Sequence, residues 1–288
     1  MSDAIVKGDA YLSLPRAPET WLIEPLLPTG GVLLLYGDPK VGKSYAALQI
    51  AGSIANQTDW IGFPVRTKGP VVYIQLDTPR SLWAERLVHL REAGWQADSL
   101  YFADRETLAY FPFDILDPTH ATYLSFHLKE INPVAVVVDT LRESHRGEEN
   151  DSTAMQRVVS SLVAATQPAA LILVSHSRKS IGDYNPDLMN DNRGSNYVVG
   201  RMDSIVRFSK KSIHFSGRAI EEGSIKMKRE DSGLWVPDQE NAQLNNFIEQ
   251  ILLDPTLTST LSRARALSER TGKGEEACRS LLRRASLK

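Results

Sequence analysis

The chain has 288 residues, of which 42% are hydrophobic and 24% charged, and its formal net charge is -2. That length and composition fit one large globular domain, or one core with a small appendage. They exclude a molecule that is basic overall, so any grip on nucleic acid must come from a local patch. The single cysteine, Cys278, excludes an intrachain disulfide and a cysteine-rich metal site.

One cysteine fits a reducing, cytoplasmic setting. No stretch approaches the roughly 20 apolar residues that span a bilayer, and residues 1–8 carry no apolar run of signal length. Residues 1–29 are rich in proline (Pro15, Pro18, Pro25, Pro28) and read as an extended lead-in. Trp21, Leu22, Ile23, Leu26 and Leu27 are expected to pin it to the core.

From Gly30 to about Asp238, short apolar runs alternate with amphipathic segments. The runs at 32–36, 71–76, 134–139, 171–175 and 204–208 are aliphatic and bounded by turn residues, as expected of strands buried on both faces. Helical patterns occupy 44–56, 81–93, 121–131 and 153–165. This alternation predicts an α/β fold, a mostly parallel sheet with helices on both faces. Residues 212–216, 224–230 and 233–236 read as antiparallel strands closing one edge. The chain then turns helical and basic, with helices expected at 241–253, 257–271 and 275–286. Three parts follow: a lead-in (1–29), a core domain (30–238) and a basic helical subdomain (239–288).

Gly37-Asp38-Pro39-Lys40-Val41-Gly42-Lys43-Ser44 matches G-x-x-x-x-G-K-[ST], with an apolar strand before it and a helical pattern opening at Tyr45 after it. Gly37 and Gly42 let the backbone turn openly and approach phosphates closely. Successive N–H groups and the helix N-terminus present positive potential to a β-phosphate. Lys43 supplies a point charge to the β- and γ-phosphates, and the Ser44 hydroxyl is a ligand for Mg²⁺. The pattern therefore implies binding of ATP with Mg²⁺. A ligand-free glycine turn would not require the adjacent lysine and serine.

The run 134–138 ends in Asp139, as in the Walker B pattern, where an acid at a strand end holds Mg²⁺. Hydrolysis also needs a group that orients or deprotonates water. Asp77, at the end of 71–76, is the candidate base. Its bland reading is a helix cap, with Asp77 or Thr78 starting the next helix and Pro79 near the first helical position. Glu143 is the rival base, and a solvated loop acid is its plainer role. The run at 171–174 ends in Ser175-His176-Ser177-Arg178-Lys179, polar groups at the strand end where open α/β sheets bind ligands.

These blocks, in order, resemble a family. Trp21, Leu26-Leu27-Pro28-Thr29-Gly30-Gly31, the phosphate loop, Val72 to Asp77 and Glu85-Arg86-Leu87 carry the first part. Val138-Asp139-Thr140-Leu141-Arg142, Glu149-Asn150-Asp151, Ser175 to Lys179, Arg193-Gly194-Ser195 and Asp203 carry the rest. Together they resemble the RepA-type branch of RecA/DnaB-like P-loop ATPases, which includes ring-shaped hexameric replicative helicases and phage recombination-associated ATPases. The resemblance covers residues 21–238.

It implies a RecA-like core, a homo-oligomer and single-stranded DNA as partner, with other replication or recombination proteins nearby. The leading expectation is a ring-forming helicase or translocase. The alternatives are a recombination or strand-annealing ATPase that does not unwind, and an assembly switch indifferent to DNA. Residues 71–76 are expected beside the phosphate-loop strand in such a sheet. Asp77 stands where the family usually has Glu, one methylene longer. Ser175 stands where many relatives have the first of two histidines, and His176 keeps the second as a sensor. Arg193 resembles an arginine finger for the neighbouring subunit, with Arg178 and Lys179 as alternates. Arg142, His145 and Arg146 after Asp139, with Lys179 and Arg193, are candidates to meet the strand's phosphates.

In the tail, Arg263, Arg265, Arg270, Lys273, Arg279, Arg283, Arg284 and Lys288 outnumber Glu269, Glu275 and Glu276. Residues 262–285 have helix–turn–helix proportions, with Ala264, Leu267, Cys278, Leu281 and Leu282 as a small core. Arg279, Arg283 and Arg284 are the candidate DNA contacts there. A packing subdomain with solvated charge is the plainer reading.

Overall fold

The computed structural model describes residues 6–12, 20–92, 94–96, 99–147, 151–176, 200–238, 247–248 and 250–286. A short helix α1 (Gly8–Leu12) precedes a small hairpin of β1 (Trp21–Ile23) and β2 (Leu27–Pro28). Leu22, Ile23, Leu26 and Leu27 are fully buried, so this part of the lead-in is pinned to the core as expected.

The core then runs β3 (Val32–Gly37), α2 (Lys43–Asn56), β4 (Val71–Gln75), α3 (Arg80–Glu92), β5 (Leu100–Asp104), α4 (Pro118–Ile131) and β6 (Ala135–Asp139). A 3₁₀ turn (Arg142–Ser144) leads to α5 (Ser152–Thr166), β7 (Ala170–Val174) and β8 (Ser204–Phe208). The strands β9 (Ser212–Gly217), β10 (Gly223–Arg229) and β11 (Trp235–Pro237) follow.

These nine strands form one sheet in the order β11-β10-β9-β8-β3-β7-β6-β4-β5. From β8 to β5 every pairing is parallel, and from β8 to β11 every pairing is antiparallel. This is the mostly parallel, helix-covered sheet of a RecA-like P-loop fold.

The side-chain period of two in a strand sorts the core into two layers. Leu33, Leu35, Tyr73, Val137 and Ile172 face α2 and Trp83 of α3. Leu34, Tyr36, Ile74, Val136, Val138 and Leu173 face Leu124 and Leu128 of α4 and Val158 and Leu162 of α5. Because both faces are covered, β3, β4, β6 and β7 are buried at every position.

Two expectations are corrected. The strand leading to Asp77 is not beside the phosphate-loop strand: β7 and β6 lie between β3 and β4. Four strands that are equally apolar along their length carry no local mark of their neighbours, so strand order was not readable from any one of them. The second is β5, which the sequence reading omitted. Leu100, Phe102 and Ala103 are only half-buried and Tyr101 is exposed, as suits an edge strand, so no apolar run announced it.

The tail holds α6 (Thr260–Thr271) and α7 (Glu275–Ser286). The helix α6 starts later than the expected 257, because the Ser259 and Ser262 side chains make a reciprocal cap there. It ends at Gly272, whose φ of 67° suits glycine. Ala264, Leu267, Cys278 and Leu282 pack together with Ile248 and Ile251, and Leu281 lies against them.

Candidate nucleotide-binding site

The loop from Gly37 to Gly42 joins the buried end of β3 to the first turn of α2. Its glycines are needed for space. A Cβ on Gly37 would strike the Phe208 carbonyl of β8, at a φ of 149°. Gly42 sits at φ 95° as the residue capping α2, and a Cβ there would press the Trp235 ring at 3.1 Å. The Trp235 indole N–H donates to the Gly42 carbonyl at 3.1 Å. Gln49 of α2 exchanges two hydrogen bonds with the Trp235 backbone, at 2.8 and 3.1 Å. The edge hairpin of β10 and β11 thus braces the phosphate loop from behind.

Lys43 is 4% exposed. Its ammonium donates to the carbonyls of Gly37 and Asp38 at 2.9 and 2.8 Å, and lies 3.2 Å from Nδ1 of His176. The last contact suits a neutral His176 ring protonated on Nε2. Burial pulls the Lys43 pKa from 10.5 down to about 8, while Asp139, Asp38 and Asp77 push it back up.

Asp139 is fully buried at the end of β6. Its Oδ2 accepts from the Tyr73 hydroxyl at 2.8 Å and from the Gln75 amide at 3.4 Å. Its Oδ1 has no partner. Burial raises the pKa of this carboxyl, and hydrogen bonds from Tyr73 and Ser44 oppose the rise. The Tyr73 hydroxyl is held well above its ordinary value, first by burial and then by the neighbouring Asp139 charge.

Asp77 is exposed at the mouth of this cavity. Its backbone N–H and that of Thr78 donate to the buried Gln75 side-chain oxygen at 2.6 and 2.9 Å. Arg105 donates to the carbonyls of Leu76 and Asp77. The helix α3 begins at Arg80, with the Pro79 carbonyl accepting from Trp83. The capping reading of Asp77 therefore fails: the helix starts three residues later, and the turn uses the Asp77 amide, not its carboxylate.

A cavity of about 490 Å³ collects Lys43, Ser44, Asp77, Asp139 and His176 at the carboxyl ends of β3, β4, β6 and β7. Pro39, Lys40, Gly42 and Tyr45 line it as well. The rival base Glu143 does not line it and is exposed on the 3₁₀ turn.

The family model described as "AAA domain", AAA_25, matches residues 4–181. The chain belongs to this AAA_25 family. Among solved structures, one described as an ATPase domain is similar at a TM-score of 0.55 and 15% identity, over 73% of this chain and 85% of that one. A KaiC-like protein from the hyperthermophilic archaeon Pyrococcus horikoshii is similar at a TM-score of 0.50 and 14% identity, over 78% of this chain and 99% of that one. At those identities the likeness is one of fold, a RecA-like P-loop core.

The residues of this AAA_25 chain fit a nucleotide with Mg²⁺. The glycine loop leaves backbone approach open, Lys43 is a buried cation whose pKa burial pulls down, and Asp139 offers a buried oxygen with no partner beside Ser44. Lys43 and the loop amides would hold phosphates, while Ser44 and Asp139 would hold the cation.

Two arginines of the cavity were missed as site residues, Arg86 of α3 and Arg229 of β10. Both guanidiniums lie over the Tyr45 ring, at 5.4 and 4.1 Å from its centre. Arg86 was legible only as part of a family block. Arg229 sits on a strand more than 180 residues from the loop, and only the sheet's antiparallel return brings it there.

Of the remaining candidates, Arg142 donates to the His145 carbonyl at 3.5 Å and Arg146 is exposed. Arg279 and Arg283 are exposed on α7, with Arg279 4.0 Å from Glu275. Arg178, Lys179 and Arg193 lie outside the described residues, as does the Arg284 side chain. Among the described residues no helix is long and apolar enough to cross a membrane, and no three His, Cys, Asp or Glu cluster as a metal site.

Proposed function

We propose that this AAA_25 chain is a Mg²⁺-dependent ATPase that acts on single-stranded DNA as a ring-forming helicase or translocase. The observation that carries the ATPase is the meeting of Lys43, Ser44, Asp139 and Asp77 in one cavity at the strand ends. The DNA and ring assignments rest on the resemblance to RepA-type ATPases.

In this reading Lys43 and the loop amides hold the β- and γ-phosphates, and the ammonium neutralises charge that grows as the terminal phosphoryl transfers. The bound Mg²⁺ supplies Lewis-acid stabilisation of the phosphate oxygens. Asp77 accepts the proton of the attacking water, and the Gln75 and Arg105 bonds fix the turn that aims it. His176, against Lys43, senses whether the γ-phosphate is present. Arg193 is assigned to the neighbouring subunit's site.

The test is steady-state ATP hydrolysis with and without single-stranded DNA, with light scattering recording the assembly. Strong stimulation in a ring-sized assembly is expected, followed by strand displacement. Annealing without displacement would mark a recombination ATPase instead. Hydrolysis indifferent to DNA, or a chain monomeric with ATP, would leave only the ATPase.

A further inference from the structure

The segment after β5 carries aromatics that the core does not absorb. Phe113 is buried, but Tyr110 and Phe111 are 38% and 44% exposed. Tyr110 stacks on His120 of α4 at 4.7 Å and meets Tyr123 edge-on at 5.4 Å, so its ring is held from behind. Phe111 lies under the Arg105 guanidinium, 5.6 Å from the ring centre. A cavity of about 400 Å³ opens beside the two rings, with exposed Arg146 on its wall.

Two acids share that wall, Asp114 and Asp117, but their carboxylates already accept backbone N–H groups, of Leu116 and Thr119. Nearby Glu106 pairs with Arg80 at 3.1 Å.

The position matters as much as the chemistry. Because β5 runs parallel to β4 and β6, this segment leaves the sheet at the same end as the nucleotide cavity. Ile115 donates to the Ser144 carbonyl, joining the segment to the turn after Asp139. Arg105, over Phe111, also donates to the carbonyls of Leu76 and Asp77. Its aim is fixed from below: Asp104 binds Arg80 through two bonds of 2.7 and 2.8 Å and accepts the amides of Glu106 and Thr107.

We propose that Tyr110 and Phe111, flanked by Arg105 and Arg146, are a stacking platform for the bases of single-stranded DNA, and that Arg105 links its occupancy to the Asp77 turn. The proposal deepens the DNA-dependent reading above and rests on it. The exposed rings select the occupant: flat aromatic faces with the Arg105 and Arg146 guanidiniums at their rim match stacked bases, whose phosphates would lie on the arginine side, away from the Asp114 and Asp117 carboxylates.

The test compares two fluorescent oligonucleotides of equal length, an oligo-dT and a fully abasic backbone, by anisotropy. The wild type is expected to prefer oligo-dT. Phe111→Ala should weaken oligo-dT about ten-fold and leave the abasic strand unchanged, and Phe111→Trp should restore the preference. Arg146→Ala should weaken both strands and flatten the salt dependence. A variant that failed to fold would lose both strands; Phe111→Leu, apolar and of similar volume but without a ring, then carries the test and should lose the preference while binding the abasic strand as wild type does. Equal binding of the two strands by wild type, or an unchanged preference in Phe111→Ala, overturns the platform while DNA-stimulated hydrolysis still stands. If wild type binds neither strand and its hydrolysis ignores DNA, the functional reading fails and the platform with it.

Discussion

Replacing Lys43 with methionine is expected to abolish nucleotide binding and yet stabilise the nucleotide-free fold. Burial draws the Lys43 pKa from 10.5 to about 8 even with three aspartates opposing the change. A fall of that size means that holding the ammonium in place costs the folded state about 3 kcal/mol at neutral pH. Methionine keeps a similar length and carries no charge. It gives up the bonds to the Gly37 and Asp38 carbonyls, whose net worth is about 1 kcal/mol each. The balance is a gain of about 1 kcal/mol for the variant.

The pH dependence makes this more than a single number. The folded state binds the Lys43 proton less tightly than the unfolded chain does. Between pH about 8 and 10.5 the unfolded chain carries the extra proton, so wild-type stability climbs with pH across that window. The variant's advantage should be full below pH 8 and shrink above it. Urea unfolding of both proteins without nucleotide, from pH 7 to 10, measures this directly. A variant less stable than wild type at pH 7, or a gap that ignores pH, would refute the argument that the lysine is held against its solvation.

Other predictions follow from the same geometry. ATP affinity, read by a fluorescent nucleotide, should be level below pH about 8 and fall about ten-fold per pH unit above it, as the Lys43 ammonium needed by the phosphates is lost. Asp77→Asn should lower turnover by about two to four orders of magnitude with little change in nucleotide affinity; near-normal turnover, beside an inactive Lys43→Ala, would sink the base assignment. Tyr73→Phe removes the donor to buried Asp139 and should cost about 1 to 3 kcal/mol in urea unfolding, a loss whose absence would show that the bond is idle. Arg229→Gln should weaken ATP about ten-fold through loss of a charged contact, and unchanged affinity would remove Arg229 from the site.

The parts of the site that were legible in the sequence are those whose chemistry is local. The phosphate loop needs its glycines, lysine and serine within eight residues, and the strand before it and the helix after it are periodic patterns of their own. Asp139 was legible because an apolar strand ending in an acid follows a phosphate loop upstream, which gives the acid a use in holding Mg²⁺. The illegible parts depend on distance along the chain. Nothing in residues 71–77 states that β6 lies beside them, so Gln75 read as one polar residue in an apolar run. Its amide in fact reaches Asp139 while its oxygen holds the Asp77 turn. Arg229 and Trp235 meet the phosphate loop only because β8 to β11 fold back along the sheet. The exposed edge strand β5 escaped notice because a half-buried strand has no continuous apolar signal.

The two buried charges explain why such a site should want its ligand. Lys43 is shifted towards its neutral form and Asp139 towards its protonated form. Asp139 favours the Lys43 charge only in part, because the Lys43 bonds go to carbonyls and His176, while the Asp139 bonds come from Tyr73, Gln75 and Ser44. Neither partner set supplies the full countercharge that burial demands. A triphosphate paired with a divalent cation brings both missing signs together, anion to the lysine and cation to the free Asp139 oxygen. Binding then favours the charged form of each group, and part of the free energy that burial cost them returns as affinity. The same accounting requires the two groups to be coupled: Asp139→Asn should lower the Lys43 pKa below about 8, and so move the fall in ATP affinity to lower pH. A pH profile for Asp139→Asn that turns at the wild-type value would mean that the two charges do not act on each other.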